Sequence, residues 1–444
     1  MKIAPPARLV LGTTTLALAL ICGGASGAAL SPVEQTIVAE VKAGSPQALH
    51  LLERSVSINS GTMNLDGVRA VGRLYRYELE QLGFVTRWID MPPAMNRAGH
   101  LLATHTGKQG TGAQGKRLLL LGHLDTVFEK DSPVQLWQRD GDRVRGQGVN
   151  DMKGGDVVII EALRALQRAG TLDNTTITVM FTGDEEDAGE PVDVARADMV
   201  AAARRSDIAL AFEATVRDQN GNDTGTIGRR SASSWELEVQ GKQGHSSGIF
   251  TANAGYGAVY EAARILDGFR QQVIEPDLTF SAGLLLGGTD TAVDAGGITG
   301  RAAGKTNVIA RSATVRGDLR YLSYAQRDRA HAKMRAIVAD NLPGTSASIA
   351  FHDAYPPMSP TAGNLAVLKV YSQASSDAGL GEIPALPPGQ RGAGDIQFIA
   401  PMIDSLDGLG VAGNGAHSPD EDLEIASLER ATIRSALLIY RLTR

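Results

Sequence analysis

The sequence predicts an α/β protein whose main domain is a mostly parallel sheet covered by helices, with a ferredoxin-like α+β domain inserted into it. Three observations carry this expectation. A length of 444 residues exceeds what one hydrophobic core normally supports, so two domains are expected. Between residues 117 and 212 apolar runs of strand length alternate with helical patterns, the signature of parallel strands joined by covering helices. From residue 228 to 353 the order becomes β-α-β-β-α-β, that of a ferredoxin-like unit. The expected division is an export signal over 1–28, a first part of the main domain over 29–227, the insertion over 228–353, and the rest of the main domain over 354–444.

The first segment stands apart from the fold. Lys2 and Arg8 precede an apolar run over 9–21, and Ala25, Ser26, Gly27 and Ala28 follow, which is the layout of a signal cleaved near Gly27 or Ala28. The run is too short for a preferred membrane span, so no membrane association is expected after cleavage. Cys22, the single cysteine, lies inside this segment, leaving a mature chain without disulfides or thiol catalysis, exported to a periplasm or the outside. A net charge of −6 and the lack of a basic run argue against nucleic acid as a partner.

The elements follow in order. Ser31 and Pro32 start one helix, and Ser45 and Pro46 start a second that runs to about Val56. Apolar residues recur at helical spacing over 66–82, with Gly83 as C-cap, and 84–89 reads as a strand. Residues 117–121 form a continuous apolar strand, 154–169 a helix closed by Gly170, 175–181 a β-branched strand and 208–212 another apolar strand. The insertion reads as strands over 234–240, 279–286, 308–322 and 347–351, with helices over 253–272 and 325–341. Helices over 364–378 and 427–442 complete the chain, separated by the Gly/Pro-rich stretch 379–395 and by His417.

In such sheets the ligand site lies beyond the carboxyl ends of the strands. His123 and Asp125 follow the strand at 117–121, Asp184, Glu185 and Glu186 follow that at 175–181, and Glu213 ends that at 208–212. Imidazole and carboxylate are zinc ligands, and a two-metal hydrolytic site needs a bridging carboxylate, separate ligands for each metal and a base. His123, Asp151, Glu186, Glu213 and His417 supply that set, with Glu185 available as base and Asp125 placed to orient the His123 ring. Each residue also has a plainer reading: a structural histidine, a solvated acidic turn, or, for Asp151, a helix N-cap. Glu213, at the end of a strongly apolar run, is the hardest to explain that way.

The segments GHLDTV, GQGVNDMKGG, FTGDEED, ALAFEAT, GKQGHSSG and GAHSPDE, in this order, resemble the zinc exopeptidase family that includes glutamate carboxypeptidase, aminoacylase and succinyl-diaminopimelate desuccinylase. The resemblance spans nearly the whole mature chain. It implies that His123 and Glu213 hold one zinc, Glu186 and His417 the other, and Asp151 bridges both, with Glu185 as general base and a cis peptide after Asp151. Cobalt or manganese would also suit such ligands. The resemblance further implies that the insertion is a lid and homodimer surface, that His245 reaches the partner subunit's site to stabilise an oxyanion, and that Asn307 helps hold the substrate. His245 also reads as a simple turn residue beside Gly244.

The implied reaction is hydrolysis of an amide bond in a peptide or N-acyl amino acid. The arginine near the end of the lid used by glutamate-specific members is missing from SIAFHDAYPPM, where His352 is the only basic group. Arg391 and Gly394, in the loop GQRGAGD, are the replacement candidates for substrate binding, with a surface role for Arg391 equally open. The loop DEEDAGEP also departs from the usual spacing between the paired glutamates and the following glycine. A deacylase or dipeptidase, and a non-catalytic exported binding protein, remain as alternatives.

Overall fold

The computed structural model describes residues 1, 30–107, 115–132, 137–294 and 296–444; the expected signal segment lies outside them except for Met1. The α/β fold expected from the sequence is the fold observed. A six-stranded sheet runs in the order Val85–Ile89, His100–His105, Ile177–Thr182, Leu118–His123, Ile208–Ala211, Asp404–Leu406. The last four are mutually parallel, and the first two pair antiparallel at the edge. Its central strand is apolar on both faces because both are covered. Leu118 and Leu120 enter one core with the helices Pro32–Val56, Lys153–Arg168 and Ile425–Leu442, while Leu119 and Leu121 enter a second core with Met199, Ile396 and Ile399.

A second, four-stranded antiparallel sheet is built only from residues between 232 and 355, in the order Thr345–Tyr355, Ala232–Gly241, Ser312–Arg320, Thr279–Gly288. Helices Ala258–Gln272 and Tyr324–Ala339 bury Ile265, Phe269, Met334 and Ile337 against it. A hairpin of Asp290–Val293 with Gly300–Ala303 extends beside it and had no clear signal in the sequence.

Several local expectations need correction. Residues 32–56 form one helix rather than two, with Pro46 inside it. Ile37, Val41, Ala48, Leu51 and Leu52 lie on a single buried face, and this packing outweighs the one backbone bond that Pro46 cannot donate. Ser31 caps that helix as expected, accepting from the Glu34 amide while Glu34 accepts from the Ser31 amide. The helix placed at 253–272 starts only at Ala258, after the positive-φ turns at Gly255 and Gly257. Strands at His100–His105 and Asp404–Leu406 were not anticipated, nor was a small sheet of Gln138–Asp140, Arg143–Arg145, Gly413–Asn414 and Asp422–Glu424. Asp404–Leu406 and the strands of the small sheet are two or three residues long, and that sheet joins segments nearly 270 residues apart, beyond the reach of local periodicity. Among the described residues no helix is long and apolar enough to cross a membrane.

Candidate metal centre

His123 ends the central strand of the parallel sheet. Gly122 before it permits close helix packing, since a Cβ there would lie 2.0 Å from Asp156 Oδ1. The ring is held by its Nδ1, which lies 3.0 Å from the Asp125 carbonyl oxygen and 3.5 Å from Asp125 Oδ1. Its Nε2 therefore points away, buried and without a hydrogen bond, 3.3 Å from Asp151 Oδ1 and 3.9 Å from Glu213 Oε1.

Asp151 faces two ways. While Oδ1 lies toward His123, Oδ2 lies 3.2 Å from Nε2 of His417, which also approaches Glu186 Oε2 at 3.1 Å. The peptide after Asp151 is cis, as the resemblance implied. His417 stands on the turn between the strands Gly413–Asn414 and Asp422–Glu424, with a left-handed φ of 64°.

The paired glutamates sit on a loop clamped from several sides. Asp125 accepts the amides of Glu185 and Glu186 at 3.1 Å each, and the Thr62 hydroxyl at 2.7 Å. Thus Asp125 orients both a histidine and the acidic loop, a wider role than the ring orientation expected of it. Behind the loop, fully buried Arg196 bonds Asp184 Oδ1 at 2.6 Å and Asp395 Oδ1 at 2.7 Å. From the inserted sheet, the Tyr355 hydroxyl donates to the Glu185 carbonyl at 3.0 Å. Ligand atoms of His123, Glu185 and Glu213 lie within 4.8 Å of one another, as do those of His123, Asp151 and Glu186.

The electrostatics of this cluster are those of a cation site. Burial pushes Glu213 up to about 7, with the Asp151 charge adding to it, and burial likewise raises Glu185 and Glu186. Hydrogen bonds to Asp151 and Glu186 push His417 up to about 11. Burial opposes ionisation of Asp151, yet the His123 and His417 contacts hold it below the usual carboxylate range. The buried Nε2 of His123 and Oε1 of Glu186 are both unpartnered, an arrangement expected of metal ligands and costly otherwise. Two divalent cations fit this donor set of two imidazoles and several carboxylates.

The cluster opens into a cleft of about 570 Å³ lined by Asp151, Glu185, Glu186, Glu213, Arg391 and His417, among others. Arg391 is not a surface residue: its side chain is 9% exposed, donates to the Ala214 carbonyl at 2.7 Å, and stands 3.7 Å from Glu213 Oε2. Its buried Nε has no partner. Gly394 is placed differently from expectation, because a Cβ there would lie 2.0 Å from Arg229 Nη1. It makes room for Arg229, which bonds Asp407 Oδ2 and the carbonyls of Gly392 and Ala393 and so shapes the loop that carries Arg391. His245 and Asn307 are not among the residues lining this cleft. They adjoin each other, with the Ser246 amide donating to the Asn307 carbonyl, and His245 Nδ1 lies 2.8 Å from Ser247 Oγ. Sequence reasoning missed Arg196, which braces the carboxylates of Asp184 and Asp395, and Arg229, Tyr355 and Glu421, which hold backbone groups far away in sequence.

Comparison with known proteins agrees with this geometry. The sequence model for peptidase family M20/M25/M40 matches residues 119–441. Carboxypeptidase G2 of Pseudomonas sp. (strain RS-16) is 27% identical over 447 residues, covering 97% of this chain and 97% of that protein. Succinyl-diaminopimelate desuccinylase of Xylella fastidiosa (strain M12) is 27% identical over 379 residues, covering 82% of this chain and 91% of that protein. The crystal structure of aminopeptidase PepT from Bacillus cereus superposes with a TM-score of 0.69 at 16% identity, covering 90% of this chain and 99% of that one.

Proposed function

The chain belongs to peptidase family M20/M25/M40 and is a hydrolase of amide bonds, and we propose that it is an exported, two-metal exopeptidase of carboxypeptidase type. Its substrates on this reading are peptides or N-acyl amino acids with a free C-terminal carboxylate, glutamate being the first residue to test. The observation that carries the proposal is Asp151, whose two carboxylate oxygens face two different histidines. On this reading His123 and Glu213 hold one ion, Glu186 and His417 the other, and Asp151 lies between, a division supported by the contacts of His123 with Glu213 and of His417 with Glu186. Zinc is the expected metal, with cobalt and manganese as alternatives.

Bound there, a pair of divalent cations supplies Lewis acidity to the scissile carbonyl and to the attacking water. The protein's own part is proton transfer and positioning. Glu185 Oε takes a proton from the attacking water and returns it to the leaving nitrogen. Burial raises its affinity for that proton, which suits the return step. Asp125 and Tyr355 fix its backbone by the amide and the carbonyl respectively. Arg391, which lines the cleft, is placed to donate to a substrate carboxylate. Asn307 and His245 enter this scheme from the partner subunit of a homodimer formed through the insertion, with residues 29–227 and 354–444 as the catalytic domain. Export rests on the N-terminal segment and on the absence of cysteine after Cys22.

A deacylase or dipeptidase is the second reading, favoured by the likeness to the desuccinylase. A panel of N-acyl amino acids, dipeptides and pteroyl-glutamate analogues, each with free and amidated C-termini, separates the two. The proposal expects hydrolysis that disappears on amidation; indifference to amidation would contradict it. Mass measurement of the exported chain tests the signal, since an intact 1–27 segment would oppose cleavage.

A further inference from the structure

Glu421 is almost fully buried, at 1% exposure, four residues beyond His417. It makes no contact with the substrate cleft's open space and is not part of the ligand set. Its carboxylate instead accepts three backbone amides: Gly148 on Oε2 at 2.9 Å, and Asn150 and Asp151 on Oε1 at 2.7 and 2.9 Å. In the same loop the Gly146 amide donates to the Glu421 carbonyl at 3.4 Å. A buried carboxyl group that collects three N–H groups forms a small hydrogen-bonding hub.

What this hub joins gives it meaning. Asp151 must present one oxygen toward His123 and the other toward His417, and that orientation depends on where its backbone sits. Glu421 holds the Asp151 amide itself. It also belongs to the turn that carries His417, whose backbone has an unusual left-handed conformation and is closed by the Glu421 amide donating to the Ser418 carbonyl. The two loops that hold opposite ends of the cluster are thereby tied by one side chain. Lack of space reinforces the tie, for a Cβ at Gly413 would lie 2.8 Å from Asn150 Oδ1.

We propose that Glu421 is a positioning residue for the two-metal site, setting the distance between the Asp151 loop and the His417 turn through three backbone amides. This rests on the two-metal reading above. Asp125 makes the matching clamp on the loop that carries the base Glu185 and the ligand Glu186, accepting both of their amides. In Glu421→Gln one of the two acceptor oxygens becomes an NH₂ group facing an N–H donor, while shape and volume are kept. In Glu421→Asp both acceptor oxygens stay but recede by one methylene.

The test is calorimetric titration of zinc into the metal-free full-length mature chain, with amide hydrogen exchange at Gly148, Asn150 and Asp151. Wild type is expected to bind two ions and protect all three amides. Glu421→Gln is expected to lose about ten- to hundredfold in affinity for at least one ion and to exchange those amides faster, with the melting temperature of the metal-free protein little changed. Glu421→Asp should recover part of the affinity. Equal affinities for both ions in wild type and Glu421→Gln would overturn the proposal while leaving the metallopeptidase reading intact. Loss of affinity only in step with a lower melting temperature of the metal-free protein, in both variants, would also overturn it by assigning Glu421 a folding role. A wild-type protein that binds no ion would instead defeat the two-metal reading itself.

Discussion

Glu185 is pinned at its amide by Asp125 and at its carbonyl by Tyr355, so its side chain is the part left free to act. Replacing it by Gln should leave metal content unchanged and lower kcat by about 10² to 10⁴, read by metal analysis beside steady-state kinetics; turnover within a few fold of wild type would remove it from the mechanism. Arg391→Ala, assayed at saturating zinc, should raise KM for free-carboxylate substrates by about ten- to hundredfold with much less effect on kcat. Equal KM values would place the carboxylate elsewhere. Individual ligand candidates were legible in the sequence because strand ends concentrate functional groups at one sheet edge. Glu421 and Arg229 were not, because their work is done through backbone atoms of segments some 160 to 270 residues away, which no local pattern announces. Gly394 shows the limit of reading a loop glycine as a substrate contact, since the space it leaves belongs to an arginine of the protein itself.

Helix Lys153–Arg168 shows how elements bring these residues to the edge. Gly155 lets its first turn meet the strand end at Phe212, where a Cβ would lie 1.9 Å from the carbonyl oxygen. Gly155→Ala should therefore destabilise the fold by about 1–3 kcal/mol, seen as a lower urea midpoint, and an unchanged midpoint would deny this contact its importance. A second joint is Asp223, which ties the last helix to the cleft wall through Arg434 Nη1 at 2.5 Å and Arg217 Nε at 3.1 Å. Burial acts to raise its pKa, but the guanidinium groups of Arg434, Arg217 and Arg430 outweigh it and hold the carboxyl below the usual range. With a folded-state pKa below the unfolded value of about 3.9, its contribution is complete at neutral pH and is lost as pH falls below about 4. Asp223→Asn should cost about 3–5 kcal/mol at pH 7, the gap to wild type closing at acid pH; a pH-independent gap would refute the electrostatic account. Element types were readable where periodicity ran long, as in 154–169. The small sheet beside the cleft was not readable, because its strands are two or three residues long and joined only by tertiary contact.

The whole molecule places one sheet edge opposite an inserted four-stranded sheet whose outer strand, Thr279–Gly288, exposes Leu285 at 56%. The homodimer proposed above would supply His245 and Asn307, which are not among the residues lining their own chain's cleft, to a partner's site. Mixing His245→Ala with Glu185→Gln subunits should then restore activity that neither has alone, because a mixed dimer contains one complete site. A mixture as inactive as its parts would exclude exchange between subunits. The central claim is that amide hydrolysis depends on two metal ions held by the cluster around Asp151. It is tested most directly by stripping the protein of metal, returning zinc in measured amounts, and following hydrolysis of the best panel substrate. Activity should be absent at first and should reach its plateau at two ions per chain. Full activity in the stripped protein, or a plateau at one ion, would contradict it.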